Sequence, residues 1–379
     1  MPTAAATLLA ILSEAVALTY TALLAVEKIG MSPIELTLFM TLTAVSGIGF
    51  ATLFGQMHDR RPALWPLLLS LAAKVVGYGL CAFVSDAWTL IAIGFLMFGL
   101  GSASFSLLFA IGKGHLDRTD ADTVARGMAS LRMISSLAWA IGPAIGAVLV
   151  ALASFQGVYL GASALALVAM LTVLVARLKI VPAAAEERQT VDLDTVRAAA
   201  PGVLALTAFH TAMFMASTAM SIVVVQDLGT ATDVGLLYSL CAALEVVVMA
   251  LFVVRPMPRA SQGLLIVGFL IFAAYFLLPL LIPTLSALYW GQILRAVAIA
   301  IISIVGMAYI QELLPGRAGT AAALFGNTMS AGSLLSGLGT GLWAGAFGFW
   351  SIFGVSVALS LFGAGAIAVG RRRPAMTGA

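Results

Sequence analysis

The chain has 379 residues, 62% of them hydrophobic and 9% charged, with a formal net charge of +3. Soluble domains carry about 25% charged residues, so a water-soluble fold is excluded and lipid is the solvent for much of the surface. The apolar runs are continuous rather than alternating, which excludes a membrane β-barrel.

A single crossing helix needs about 20 apolar residues. Twelve stretches meet that length: 4–26, 33–55, 64–84, 88–112, 125–151, 157–178, 199–226, 232–254, 262–282, 285–312, 318–344 and 348–370. The expectation is an all-α integral membrane protein with twelve transmembrane helices. With both termini in the cytoplasm, fifteen of the nineteen basic residues fall on the inner side and only Lys28 on the outer side. Lys74, Arg132 and Arg295 lie within segments. This is the positive-inside bias, repeated at every loop, so the excess charge reflects topology and not nucleic-acid binding. The first segment has no basic leader and no clear small-residue cleavage site, so it is expected to be retained.

An ionisable side chain inside a membrane helix costs several kcal/mol on insertion scales and is a functional candidate by default. The first segment carries Glu14. The second ends in "GQMHDRRP" (Gly55–Pro62), and the third carries Lys74, which no polar stripe accompanies and which is expected to be structural. In the fourth, Phe98, Ser102, Phe105 and Phe109 form a stripe expected to pack in the core. The fifth places Arg132, Ser135, Ser136 and Trp139 at helical spacing on one face. Its Gly142 and Gly146 offer a small-xxx-small surface for close helix approach. Pro143 removes a backbone donor and marks a bend or hinge.

The polar stretch from Arg177 to Pro201 divides the chain into a six-helix bundle at 1–178, a cytoplasmic linker at 179–198 and a second bundle at 199–379. This is the plan of a secondary transporter whose halves are parallel repeats, here expected to be related by pseudo-two-fold symmetry. A shift of 195 carries the fifth segment onto the eleventh: Ser135 meets Ser330, Gly142 meets Gly337, Gly146 meets Gly341 and Arg132 meets Asn327.

In the second half, Thr207, His210, Phe214, Ser217 and Ser221 share a face of the seventh segment. Tyr238, Cys241 and Glu245 share one in the eighth, and Gln292, Arg295 and Ser303 one in the tenth; Glu312 sits near a cytoplasmic end. Polar stripes would not face lipid, so they are expected to face an interior cavity. Hydroxyls, an amide and aromatic rings there suit a polyhydroxylated solute. Glu245 and Glu14 are the carboxylates well inside segments, and a proton carrier must be a group whose charge responds to burial and to neighbouring charges. Cys81 and Cys241 both lie in apolar segments and suggest neither a disulfide nor a metal site. No nucleotide-binding, metal-ligand or nucleophile motif is present. The expectation is a transporter and not an enzyme, with no cofactor, driven by a gradient or running passively.

Several stretches resemble the major facilitator superfamily. "GQMHDRRP" resembles its loop motif between helices two and three, with Gly55, Asp59 and Arg60 in place; Pro62 and apolar residues stand where the motif continues with Gly and further basic residues. "WAIGPAIG" resembles the helix-five Gly-Pro motif of exporters. "LRMISSLAWAIGP" (Leu131–Pro143), "AALEVVVMA" (Ala242–Ala250) and "QELLPGRAGTAAALFGNTMSAG" (Gln311–Gly332) resemble the bacterial sugar efflux transporters of that superfamily. The resemblance marks Arg132, Trp139, Glu245, Glu312, Arg317 and Asn327 as family-type positions. The chain departs from the pattern in the fourth segment, which reads "SASFSLLFA" in place of a Pro-Gln pair. It departs again in the seventh, which reads "FHTAMFMASTAMS" where the family tends to have Asn and Asp.

The resemblance implies proton-coupled export of small sugars or glycosides by a monomer in the bacterial inner membrane. Expected roles are proton coupling for Glu245 and Glu14. Solute binding is expected of Arg132, Trp139, His210, Phe214, Gln292, Arg295 and Asn327. Gating is expected of Gly55, Asp59, Arg60, Gly142, Pro143, Glu312 and Arg317. The alternative is a proton-coupled exporter of amphipathic drugs, for which the Met- and Phe-rich fourth and seventh segments leave room.

Overall fold

The structure, a computed structural model, describes residues 2–116, 121–176, 178, 193–254, 261–314 and 318–370. All twelve predicted segments fall on helices. Where no water can satisfy exposed N–H and C=O groups, the helix is the form that satisfies them within one segment. Nine stretches among the described residues are long and apolar enough to cross a membrane; Ser130–Val175 covers both the fifth and sixth predicted segments.

The first six segments form α1 (Pro2–Leu23), α2 (Pro33–Arg60), α3 (Trp65–Cys81), α4 (Ala87–Ile93), α5 (Gly99–Leu116) and α6 (Ala121–Val175). A π-helical turn, Leu24–Lys28, continues α1, and another, Gly94–Phe98, joins α4 to α5. The pair α4–α5 is therefore the fourth predicted segment. Helix α6 is two helices in sequence: Ala153 (φ −144°, ψ 24°) and Ser154 (φ 55°, ψ −160°) leave helical geometry between the fifth and sixth segments. A non-glycine residue at positive φ is uncommon, so Ser154 marks the corner. The later segments form α7 (Leu193–Val223), α8 (Ala231–Val254), α9 (Gln262–Leu281), α10 (Leu285–Leu313), α11 (Ala318–Phe347) and α12 (Ser351–Val369), and a π-helical turn at Val224–Leu228 follows α7.

Caps explain several of the starts. Ser32 and Glu35 form a reciprocal capping box at α2, with Pro33 in the first turn. Thr230 and Asp233 make the same exchange at α8: the Thr230 N–H donates to Asp233 Oδ2 at 2.9 Å, and the Asp233 N–H to Thr230 Oγ1 at 3.4 Å. Asp86 caps α4 through the Thr89 N–H, and Thr284 caps α10 through the Ala287 N–H. The hydrogen bonds from Thr89 hold the Asp86 carboxyl below the usual carboxylate range. These caps repeat at a constant offset of 198, close to the 195 read between the fifth and eleventh segments. The π-helical turns after α1 and α7 repeat at nearly the same spacing.

By proximity the chain forms two compact units. One comprises Met1–Glu187, Met220–Ala243 and Gly337–Ala346; the other comprises Arg188–Ala219, Leu244–Ser336 and Phe347–Ala379. The first therefore includes the start of α8 and a late stretch of α11. Its core runs along α1 (Ala6, Ala10, Ala17, Tyr20), with Leu67 and Leu71 of α3 and Leu107, Leu108 and Ile111 of α5. The core of the second is aromatic: Phe209 of α7, Phe269, Phe272 and Phe276 of α9 and Phe353 of α12 are all nearly inaccessible. Large apolar side chains such as Leu53, Phe83, Val247 and Leu251 are exposed. In lipid this carries no hydrophobic penalty, since acyl chains are as apolar as the side chains. Trp65, Trp88 and Trp290 are also exposed near helix starts, where aromatic residues mark the membrane–water interface.

Candidate functional site

Within the second unit, α7, α9 and α10 bring polar side chains together in an apolar setting. Arg295 of α10 is almost fully buried. Its Nη2 donates to Ser217 Oγ of α7 at 2.9 Å, and its Nη1 to Gln292 Oε1, one turn back on α10, at 3.4 Å. Gln292 is inaccessible, and its amide donates to the Leu288 carbonyl at 2.9 Å. The Arg295 guanidinium carbon lies 5.9 Å from the centre of the Tyr275 ring, at the outer limit of a cation–π contact. Its charge also acts on the half-buried Glu245 of α8. This is a built polar cluster: a planar donor fork fixed from two sides.

Two turns back along α7, His210 stands among rings. Phe214 is stacked with it at 6.4 Å, and Phe325 of α11 meets it edge-on at 5.5 Å. Thr328 Oγ1 lies 3.2 Å from His210 Nδ1 and donates its single proton to the Phe325 carbonyl at 2.7 Å. The His210 ring also hydrogen-bonds the backbone of Leu206, one turn back on α7. Gly332 lets α11 approach this turn of α7: a Cβ there would lie 2.5 Å from His210 Cβ and 2.9 Å from the Thr211 nitrogen. Of the face predicted for the seventh segment, Thr207, Phe214 and Ser217 are half-buried, whereas His210 and Ser221 are buried. On α11, Asn327 is exposed beside the buried Thr328.

In the first unit the predicted face on α6 separates. Arg132, Ser136 and Trp139 are exposed, whereas Ser135 is buried and donates to the Leu131 carbonyl at 2.9 Å. Arg132 makes no ion pair with the described residues. The Gly-Pro stretch is a close-packing site. A Cβ on Gly142 would lie 2.5 Å from Ala15 Cβ, and one on Gly146 would lie 2.4 Å from Tyr20 Cε2. The inaccessible Tyr20 donates to the Pro143 carbonyl at 3.3 Å. Gly235 of α8 packs against the same tyrosine and the same carbonyl. On α11, Gly337 and Gly341 likewise press against the backbone of α2 at Thr41 and Pro33.

Gly55 is open, and Arg60 and Glu312 are exposed. Arg317 and the Asp59 side chain lie outside what the structure describes, as do most of the inner basic residues.

Spacing alone missed three participants. Ser217 was on a predicted face, but its pairing with Arg295 joins different helices. Thr328 sits beside the predicted Asn327 and takes the inward place. Lys74, expected to be structural, forms an ion pair with Glu14 at 2.7 Å. A signal for that pair existed: both residues lie ten positions past the start of segments that run in the same direction (residues 4 and 64), hence at one depth.

The sequence pattern of the Major Facilitator Superfamily matches residues 3–261. A "Putative sugar efflux transporter" of Deinococcus radiodurans is 35% identical over 97% of this chain and 97% of its own length. "Sugar efflux transporter A" of Escherichia coli K12 is 27% identical over 88% of this chain and 86% of its own. Among solved structures, the nucleoside transporter NupG superposes with a TM-score of 0.76 at 11% identity, covering 97% of this chain and 98% of that one. A transporter of the POT family superposes with 0.76 at 12%, covering 96% and 94%. At such identities these structures speak to the fold alone. The chain belongs to the major facilitator superfamily: it is a multi-pass membrane transporter of that fold, with sugar efflux transporters among its relatives.

Proposed function

We propose that this protein exports sugars or sugar-like solutes across the bacterial cytoplasmic membrane in exchange for protons, by alternating access and with both termini in the cytoplasm. The observation that carries the reading is the Arg295–Ser217–Gln292 cluster, with Arg295 and Gln292 buried inside the second unit. A polar cluster in lipid-embedded helices marks a pathway for a polar cargo or ion. The guanidinium fork offers donors to solute hydroxyls, the His210 ring offers a further hydrogen-bonding group, and Phe214 offers a face on which sugar C–H groups stack. The names of the sugar efflux relatives support the same cargo class. Arg132, Trp139 and Asn327, all exposed, are the further solute-contacting candidates. In this reading Glu245 carries the proton, its carboxyl gaining and losing charge within the field of the Arg295 guanidinium.

Glu245→Gln tests the coupling in proteoliposomes. Proton-driven sugar flux is expected to fall at least tenfold, while sugar counterflow, which needs no net proton movement, persists. Driven flux at the wild-type rate would refute the assignment. The rings of Phe209, Phe214 and Phe325 around His210 give the amphipathic-drug reading its one specific support. Competition by lipophilic cations, with no competition by mono- or disaccharides, would favour it.

A further inference from the structure

Lys74 of α3 is buried on every side. Its Nζ donates to Glu14 Oε2 at 2.7 Å and faces the Ala10 carbonyl at 3.4 Å, so one ammonium spans a turn of α1. Gly101 of α5 makes room for the stem: a Cβ there would lie 2.8 Å from Lys74 Cγ. The two partners differ in access. The lysine side chain is 3% exposed, whereas that of Glu14 is 22% exposed. Glu14 Oε1 has no hydrogen-bond partner among the described residues. A well-packed apolar pair would hold these helices as well as a buried ion pair does, so packing alone gives no reason for the charges.

We propose that Lys74 is a positioning residue that holds Glu14 by Oε2 and leaves Oε1 turned to its open side, so that the proton-exchange site of the first unit is the Glu14–Lys74 pair. The inference rests on the proton-coupled reading above. A proton enters on Oε1 and the carboxylate becomes a neutral acid. The pair thereby passes from net neutral to net positive, the charge resting on the Lys74 ammonium, which retains the Ala10 carbonyl. Loss of the same proton restores the pair, with no other group altered. The titratable groups on the packed elements are few. Tyr78, one turn along α3, is buried and feels the Glu14 charge, as it does those of Cys81 and Tyr159. Lys113 and His115 lie at the far end of α5, and Arg132 lies on the exposed face of α6.

Dicyclohexylcarbodiimide tests this without any solute. It adds to a protonated carboxyl, taking the acid proton onto its nitrogen and forming an acyl bond. Labelling of Glu14 in full-length reconstituted protein is followed by mass spectrometry across pH. In wild type, labelling is expected to fall off as pH rises. Lys74→Met is expected to label at least tenfold faster at neutral pH and to carry the reaction to more alkaline pH; Lys74→Arg is expected to return to the wild-type profile. If Lys74→Met does not fold, Gly101→Ala, which displaces only the flexible stem, is expected to move the profile the same way. Identical profiles in wild type and the displaced-lysine variant, or no reaction at Glu14 at any pH, would overturn the proposal. Loss of sugar flux with the labelling pattern intact would instead count against the export reading.

Discussion

Arg295 shows what a helix-face pattern can and cannot say. Its spacing from Gln292 put both on one face of α10, and the bond between them follows from that. The bond to Ser217 crosses to α7, 78 positions away in sequence, and no local periodicity contains it. The guanidinium reaches both partners because its nitrogens are held in a plane at a fixed spread; a lysine ammonium is a point donor. Arg295→Lys is therefore expected to fold while losing at least tenfold in sugar counterflow, about 1.4 kcal/mol. An unchanged rate would remove the cluster from recognition. Glu14 and Lys74 were legible one at a time as charges in apolar segments. Their pairing could be drawn only by matching depths across two helices, a step that spacing within one helix does not supply.

Helix existence and order could be read almost completely, because lipid demands long apolar helices. The corner at Ala153–Ser154 falls in the gap between the fifth and sixth predicted segments. The π-helical turns could not be read: Leu24–Lys28 and Gly94–Phe98 have no proline, and nothing in their residues separates one turn type from another. The helix contacts follow glycine. A Cβ on Gly341 would lie 2.1 Å from Thr37 Oγ1 and 2.2 Å from the Pro33 carbonyl, whereas Gly354 of α12 has nothing within 4 Å. Overpacking typically costs about 1–3 kcal/mol. Gly341→Val is expected to lower the thermal midpoint in detergent and to slow transport; Gly354→Ala is expected to do neither. Equal behaviour of the two would show that the α11–α2 contact carries no stability. At the start of α2, Ser32→Ala removes the acceptor for the Glu35 N–H and is expected to cost about 1 kcal/mol, read as a smaller fall in the same midpoint.

At the scale of the whole molecule, composition fixes the solvent, charge asymmetry gives the expected orientation, and the caps of α2 and α4 recur at α8 and α10 at an offset of 198. Membership of the superfamily follows from the match over residues 3–261 and the 35% identity to a relative over nearly the full length. What two similar halves do to a solute does not follow from either, because the same fold serves nucleoside and peptide-family transporters. The central claim is exchange of sugar for protons. Its most direct measurement is uptake of radiolabelled mono- and disaccharides into proteoliposomes holding the purified protein, with an acidic lumen. The account predicts accumulation above the external concentration, alkalinisation of the lumen with each sugar entering, and loss of both on adding a protonophore. Sugar equilibration that ignores the pH gradient, or a gradient that decays without sugar movement across the whole panel, would contradict it.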